Sequence, residues 1–209
     1  METNPKQSIQ TILDADSRFR RPRPSRKKRV AVVTMGVKLG DETRGYTRFR
    51  FLSELLVREG FEVELFTSSF QHWEKAQRDT TRECYRAQPY RISFIQEPGY
   101  QKNLDLARIN SHRIAAKNLR AMLRERFEAD PRAFDLIYAE IPPNDVARVC
   151  AEEAHCNRIP FVADINDLWP EAMRMVINIP VISDVAFYPF SRDAKRVYQL
   201  LSGAVGTSE

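Results

Sequence analysis

An α/β fold built on a doubly wound parallel sheet is predicted for this chain by three observations. Short apolar, β-branched runs alternate with longer segments of helical periodicity along almost the whole chain. The first unit reads strand–helix–strand, with connections short enough for parallel neighbours. At 209 residues the chain is long enough for one substantial core and too short for two full-sized α/β domains.

The elements follow in order. Residues 30–37 (VAVVTMGV) are nearly continuously apolar, as expected of a strand covered on both faces. Residues 47–59 place Phe49, Leu52, Leu55 and Leu56 at helical spacing, and Gly60 stands where a helix C-terminus wants it. Residues 61–67 (FEVELFT) alternate as a second strand. The polar stretch 71–88 suits a short helix or a long loop, and 90–95 (YRISFI) a third strand. Residues 103–127 lack proline and glycine and predict a long helix with Leu104, Ile109, Leu119, Met122 and Leu123 toward the core. A fourth strand at 135–141 leads to a helix at 145–156 with Asn144 as N-cap. A fifth strand is expected at 160–165, then two or three helical pieces, the last at 191–201, and a short final strand at 204–207.

Composition narrows the functional classes. Hydrophobic residues make up 43% and charged residues 29%, ordinary for a globular protein. No run approaches the roughly 18 apolar residues of a membrane span, and the polar, arginine-rich start has no apolar core of a secretory signal. Three cysteines make no complete disulfide framework, which points to a reducing, cytoplasmic compartment. Cys150, His155 and Cys156 fall on one helix at spacings that point apart, so no metal is expected there. The formal net charge of +5 conceals a basic run, RFRRPRPSRKKR, over residues 18–29. Residues 1–28 therefore read as a basic arm with little capacity to fold alone. It can be a solvated tail or be drawn to an anionic membrane surface. Nucleic acid is the weakest reading, because Phe19 is its only aromatic and no base-reading module accompanies it.

Ligands of open parallel sheets bind beyond the carboxyl ends of the strands, so the loops that follow strands are the places to search. The loop after the first strand contains Gly36, Gly40 and Gly45, and could let backbone amides approach a phosphate or merely shape a long turn. Its spacing matches neither a dinucleotide nor a P-loop fingerprint. Glu140 ends the fourth strand beside Pro142 and Pro143, either to meet a hydroxyl-rich ligand or as an exposed acid before a helix. The loop after the fifth strand is the richest: Asp164, Asn166, Asp167, Trp169 and Glu171 combine carboxylates, an amide and an indole. These groups suit sugar hydroxyls and the apolar face of a sugar ring.

The segment 160–171 (PFVADINDLWPE) resembles the strand followed by D-x-x-D-L-W-P-E of bacterial family 4 glycosyltransferases of the GT-B fold, above all those that build cell-surface polysaccharides. The opening unit 30–67 and the ending GAVGTSE at 203–209 are similar at fold level, so the likeness spans residues 29–209. Asn166 stands where many relatives have arginine, and Phe61 where histidine is common. The resemblance implies a Rossmann-like, acceptor-side N-terminal domain. Its partner would be a C-terminal domain, absent from these residues, or a separate donor-binding chain. The substrates implied are a nucleotide-sugar donor and a saccharide or lipid-linked acceptor, with no further cofactor. Gly36, Gly40 and Gly45 would lie near the donor diphosphate; Glu140, Asp164, Asn166, Asp167, Trp169 and Glu171 would line the acceptor cleft. No residue is implied as catalytic. The competing expectation is a non-enzymatic or degenerate subunit that pairs with a donor-binding chain. Arg113, Lys117, Arg120 and Arg124 recur at helical spacing as a basic stripe, suited to peripheral binding at the inner membrane face or to a solvated helix face.

Overall fold

A computed structural model describes residues 26–40, 42–45, 47–103, 105–167 and 182–206, with the backbone alone for 182–187. The elements run β1 (Arg29–Thr34), α1 (Arg48–Arg58), β2 (Glu62–Ser68), β3 (Phe70–Gln71), β4 (Ala76–Gln77), α2 (Glu83–Arg86), β5 (Arg91–Ile95), α3 (Leu106–Ala129), β6 (Leu136–Ile141), α4 (Asn144–Cys156), β7 (Phe161–Ile165), α5 (Ile182–Leu200) and β8 (Gly203–Gly206). Six strands form one sheet in the order β5-β2-β1-β6-β7-β8, and each neighbouring pair is parallel. The predicted α/β class is therefore the observed one, a Rossmann-like sheet covered by helices.

Alternation along the strands divides the interior into two cores. Val30, Val32, Leu136, Tyr138 and Val162 face Phe49 and Leu56 of α1. Ala31, Val33, Ile137, Ala139 and Ala163 face Leu119, Leu123 and Phe127 of α3, Cys150 of α4 and Val197 of α5. Cys150 is fully buried there while Cys156 is exposed, and burial pushes the Cys150 thiol up, out of reach of thiolate chemistry at neutral pH.

Several local expectations change. Strand β1 stops at Thr34, because the Met35 amide donates to the Glu140 side chain at 3.0 Å and not to a neighbouring strand. Within 71–88 the chain forms the small β3–β4 hairpin and the four-residue α2, elements too short to leave a periodic signal. On α3 the buried positions are Ser111, His112, Ala115, Ala116, Leu119, Leu123 and Phe127; Ile109 and Met122 are half-buried, and Leu104 lies outside the described residues. Pro143 takes the N-cap position of α4. Asn144 is instead the first helical residue, buried, with its amide 3.3 Å from the Phe190 carbonyl of α5. Helix α5 runs through Pro189 rather than starting after it, at the loss of one backbone donor. Half of the basic stripe on α3 is engaged within the fold: Arg120 pairs with Glu152, and Arg124 meets Glu153 of α4 at 3.0 Å. Among the described residues no helix is long and apolar enough to cross a membrane.

Candidate functional site

Strand order reverses between β1 and β6: β2 and β5 lie to one side, β7 and β8 to the other. Helix α1 leaves β1 over one face of the sheet and α4 leaves β6 over the opposite face. Divergent connections of this kind open a crevice at the carboxyl edge. The cleft found there is lined from every strand end between β5 and β7: Met35 and Gly36, Phe70, His72 and Trp73, Glu97 and Tyr100, Glu140, Pro142 and Pro143, Asn166 and Asp167. Arg108 and His112 complete it from α3. About 110 Å³ of it is open to the centres of water molecules, room for several waters or one compact polar group.

Glu140 braces the switch point. One carboxylate oxygen accepts from the Thr34 hydroxyl at 2.5 Å and the Met35 amide at 3.0 Å; the other accepts from the Asn166 side-chain amide at 2.9 Å. Asn166 is held in turn by its own N–H, 2.9 Å from the Ile141 carbonyl. One side chain thus ties together the chain after β1, β6 and β7. Glu140 is 6% exposed, and burial raises its carboxyl above the ordinary range, an effect the four donors from Thr34, Met35, Asn166 and Gly36 oppose.

Asp164 is the register partner of Glu140 on β7. It is fully buried, receives the Tyr138 hydroxyl at 2.7 Å and forms an ion pair with Arg48 of α1. It is not among the residues that line the cleft, contrary to its expected place in an acceptor site; its charge is consumed in holding α1 to the sheet.

The opposite wall is built around Tyr100. Its ring centroid lies 5.1 Å from that of Phe70, 5.7 Å from that of His72 and 5.7 Å from that of His112. The His72 Nδ1 is 2.5 Å from the Tyr100 hydroxyl. Gly99 makes this packing feasible: φ is +78°, and a Cβ there would meet the Phe70 ring at 2.3 Å. Two cations approach the same ring, Lys75 Nζ at 4.5 Å and the Arg108 guanidinium at 5.5 Å from the centroid. Burial first, then these cations, holds His72 down to about 4 and His112 down to about 3, so both are neutral imidazoles at neutral pH. Burial pushes Tyr100 up to about 12. Glu97 ties this wall to α3 by accepting from the hydroxyls of Ser68 and Ser111, and burial raises its carboxyl too.

The glycine-containing loop is clipped from behind. Arg78 forks onto Glu42, with its Nε at 2.6 Å and Nη2 at 3.0 Å from the two carboxylate oxygens, and also donates to the carbonyls of Val37 and Ser68. Glu42 further accepts from the Leu39 amide at 2.9 Å. Gly40 (φ +52°) packs against Cys84, and Gly45 (φ +127°) against Lys38. Both shape the turn and neither lines the cleft. Gly36 does line it, with its N–H 3.3 Å from the Thr34 hydroxyl and turned toward Glu140.

Of the residues expected from sequence, Gly36, Glu140, Asn166 and Asp167 come together in one cleft; Gly40, Gly45 and Asp164 do not join them. Trp169 and Glu171 lie outside the described residues. The Tyr100 wall was missed. The signal for it was the His72-Trp73 and Gly99-Tyr100 pairs in the two loops after β2 and β5, where the strand-end rule also points. No protein-family model matches the chain, and no curated protein matches it significantly, so the functional reading rests on the chemistry of this cleft and on the resemblance of its fifth-strand segment.

Proposed function

We propose that the chain is the acceptor-side, Rossmann-like half of a glycosyltransferase for cell-surface polysaccharide, and that the switch-point cleft receives a hydroxyl-rich acceptor. A nucleotide-sugar donor would be held mainly by a second domain, elsewhere in the polypeptide or on a separate chain. One observation carries the reading. At the topological switch point, hydrogen-bonding groups (Asn166 and Asp167) and aromatic side chains (Trp73 and Tyr100) line one cleft. Carboxylates and amides match the hydroxyls of a sugar, and ring faces match its C–H surface. Glu140 acts in this reading as a positioning residue: its donors leave little capacity for a ligand, but it fixes Asn166 and the backbone of Met35. Asp167, exposed at the cleft, is the carboxylate left to meet a hydroxyl.

Saccharide binding to the purified chain tests this without the second half. Saturation-transfer NMR with a panel of neutral and acidic mono- and disaccharides should show contact for at least one of them. Trp73→Ala should weaken that ligand about tenfold, near 1.4 kcal/mol, the scale of one lost stacking face. A panel without any saccharide contact would overturn the acceptor reading.

A further inference from the structure

The two faces of the outer strands are covered unequally. Helix α3, from Leu106 to Ala129, packs on one face, whereas the α1 side of β5 is met by the four-residue α2. Val57 of α1 and Ile92 and Phe94 of β5 therefore stay partly buried at the border of the core. They open into a groove of about 620 Å³, which Lys27, Phe61, Glu62, Arg86 and Arg91 also line. Lys27, Glu62 and Arg91 stand before or at the starts of β1, β2 and β5, so the groove lies at the amino edge of the sheet, opposite the cleft. We propose that this groove is the docking site of the chain's own residues 9–16 (IQTILDAD), with Ile9, Ile12 and Leu13 on its apolar floor and Asp14 and Asp16 at its cationic rim.

Position, polarity and charge select this occupant. The described chain starts at Arg26, and Lys27 is already a wall of the groove, so residues 1–25 precede it directly. The link from Asp16 to Lys27 can span roughly 36 Å, while β5 lies two strand spacings, about 10 Å, from β1. Ile9, Ile12 and Leu13 are the branched aliphatic residues of 1–25, and their spacing is that of one apolar face. A parallel sheet buries both of its faces, and these side chains supply the apolar cover that the short α2 does not complete. The groove is lined by three cations, Lys27, Arg86 and Arg91, and one carboxylate, Glu62. Arg91 reaches Glu64 at 3.6 Å, but Lys27 and Arg86 are exposed and form no ion pair among the described residues. Residues 9–16 carry two carboxylates and no cation, whereas residues 18–25 carry four arginines and no carboxylate. The field of the groove thus draws in the first stretch and repels the second.

NMR of the full, methyl-labelled chain tests this. Expected are NOEs from the Ile9 or Ile12 methyls to the Ile92 methyl or to the rings of Phe61 and Phe94, with slowed amide exchange over residues 11–16. Ile12→Asp should speed that exchange about tenfold or more, the scale of one buried aliphatic side chain, while β1 and β6 exchange as before. Arg86→Glu should speed it about threefold, as for one surface ion pair, and Asp14→Lys in the same chain should restore part of the loss. That rescue separates docking on this rim from any change within residues 9–16 alone. In a mixture of labelled and unlabelled chains, the same NOEs between molecules would give the groove to a second copy and overturn docking within the chain. Absence of these NOEs, with exchange indifferent to Ile12→Asp and Arg86→Glu, overturns the proposal outright. Either failure leaves the acceptor reading standing, because saccharide contact is measured at the opposite edge of the sheet.

Discussion

Glu140 and Asp164 stand side by side in register on β6 and β7, both buried and both one step from the carboxyl edge of the sheet. Their fates differ. Asp164 has an arginine, supplied by α1, and a tyrosine hydroxyl, and it serves as a rivet between helix and sheet. Glu140 has hydroxyl and amide donors with no cation among them in the described residues, and it serves as a brace between three loops that form the cleft. A carboxylate neutralised by a cation is fixed as structure. One caged by neutral donors sets the positions of the loops that supply those donors.

The sharpest way to break this comparison is Asp164→Ala. It strands Arg48 and the Tyr138 hydroxyl against the sheet. Arg48 keeps 37% of its side-chain exposure and can recover some hydration, so the cost should fall at the low end for a broken buried pair, about 3 kcal/mol. Urea unfolding measures it. A loss below about 1 kcal/mol would mean that the pair is no rivet.

Glu140→Gln should cost less, about 1 kcal/mol at pH 7, because an amide retains one acceptor oxygen. Its pH dependence is the more telling measurement. A buried acid with a raised native pKa binds protons more readily folded than unfolded, so its ionised form costs stability above that pKa. The cost is relieved as pH falls toward the unfolded value of about 4.3. The stability of the wild type relative to Glu140→Gln should therefore rise as pH is lowered from 7 to 5. Parallel unfolding of the two proteins cancels the opposing contributions of His72 and His112. A difference independent of pH would put Glu140 in the same class as an ordinary exposed carboxylate.

This distinction was not legible in the sequence, and the physical reason is distance along the chain. Asp164 meets Arg48 across 116 positions, and Glu140 meets Thr34 across 106. The sheet itself was legible because buried parallel strands are short continuous apolar runs, as in VAVV and FVA, and because Gly60 marks the end of α1. Elements of two to four residues such as β3, β4 and α2 leave no period to detect. Loops rich in carboxylates drew the search toward Asp164 and Asp167. Aromatic and histidine residues in the loops after β2 and β5 became a wall only once the sheet order placed both beside β1.

Asp167 supplies the smallest structural effect and the finest test. It lies three residues beyond Asp164 and is exposed at the rim of the cleft, and among the described residues it shares neither Arg48 nor Tyr138, the partners that make its neighbour a rivet. Asp167→Ala should change stability by no more than about 0.5 kcal/mol, the range of surface substitutions. If the cleft binds hydroxyl groups through this carboxylate, saccharide affinity should nevertheless fall about tenfold, the scale of one charged hydrogen bond. Lost saccharide affinity with intact stability would separate three strand-edge carboxylates by role: Asp164 for the fold, Glu140 for the shape of the cleft, Asp167 for its ligand. Unchanged saccharide affinity would remove Asp167 from the binding wall and leave its rim position unexplained.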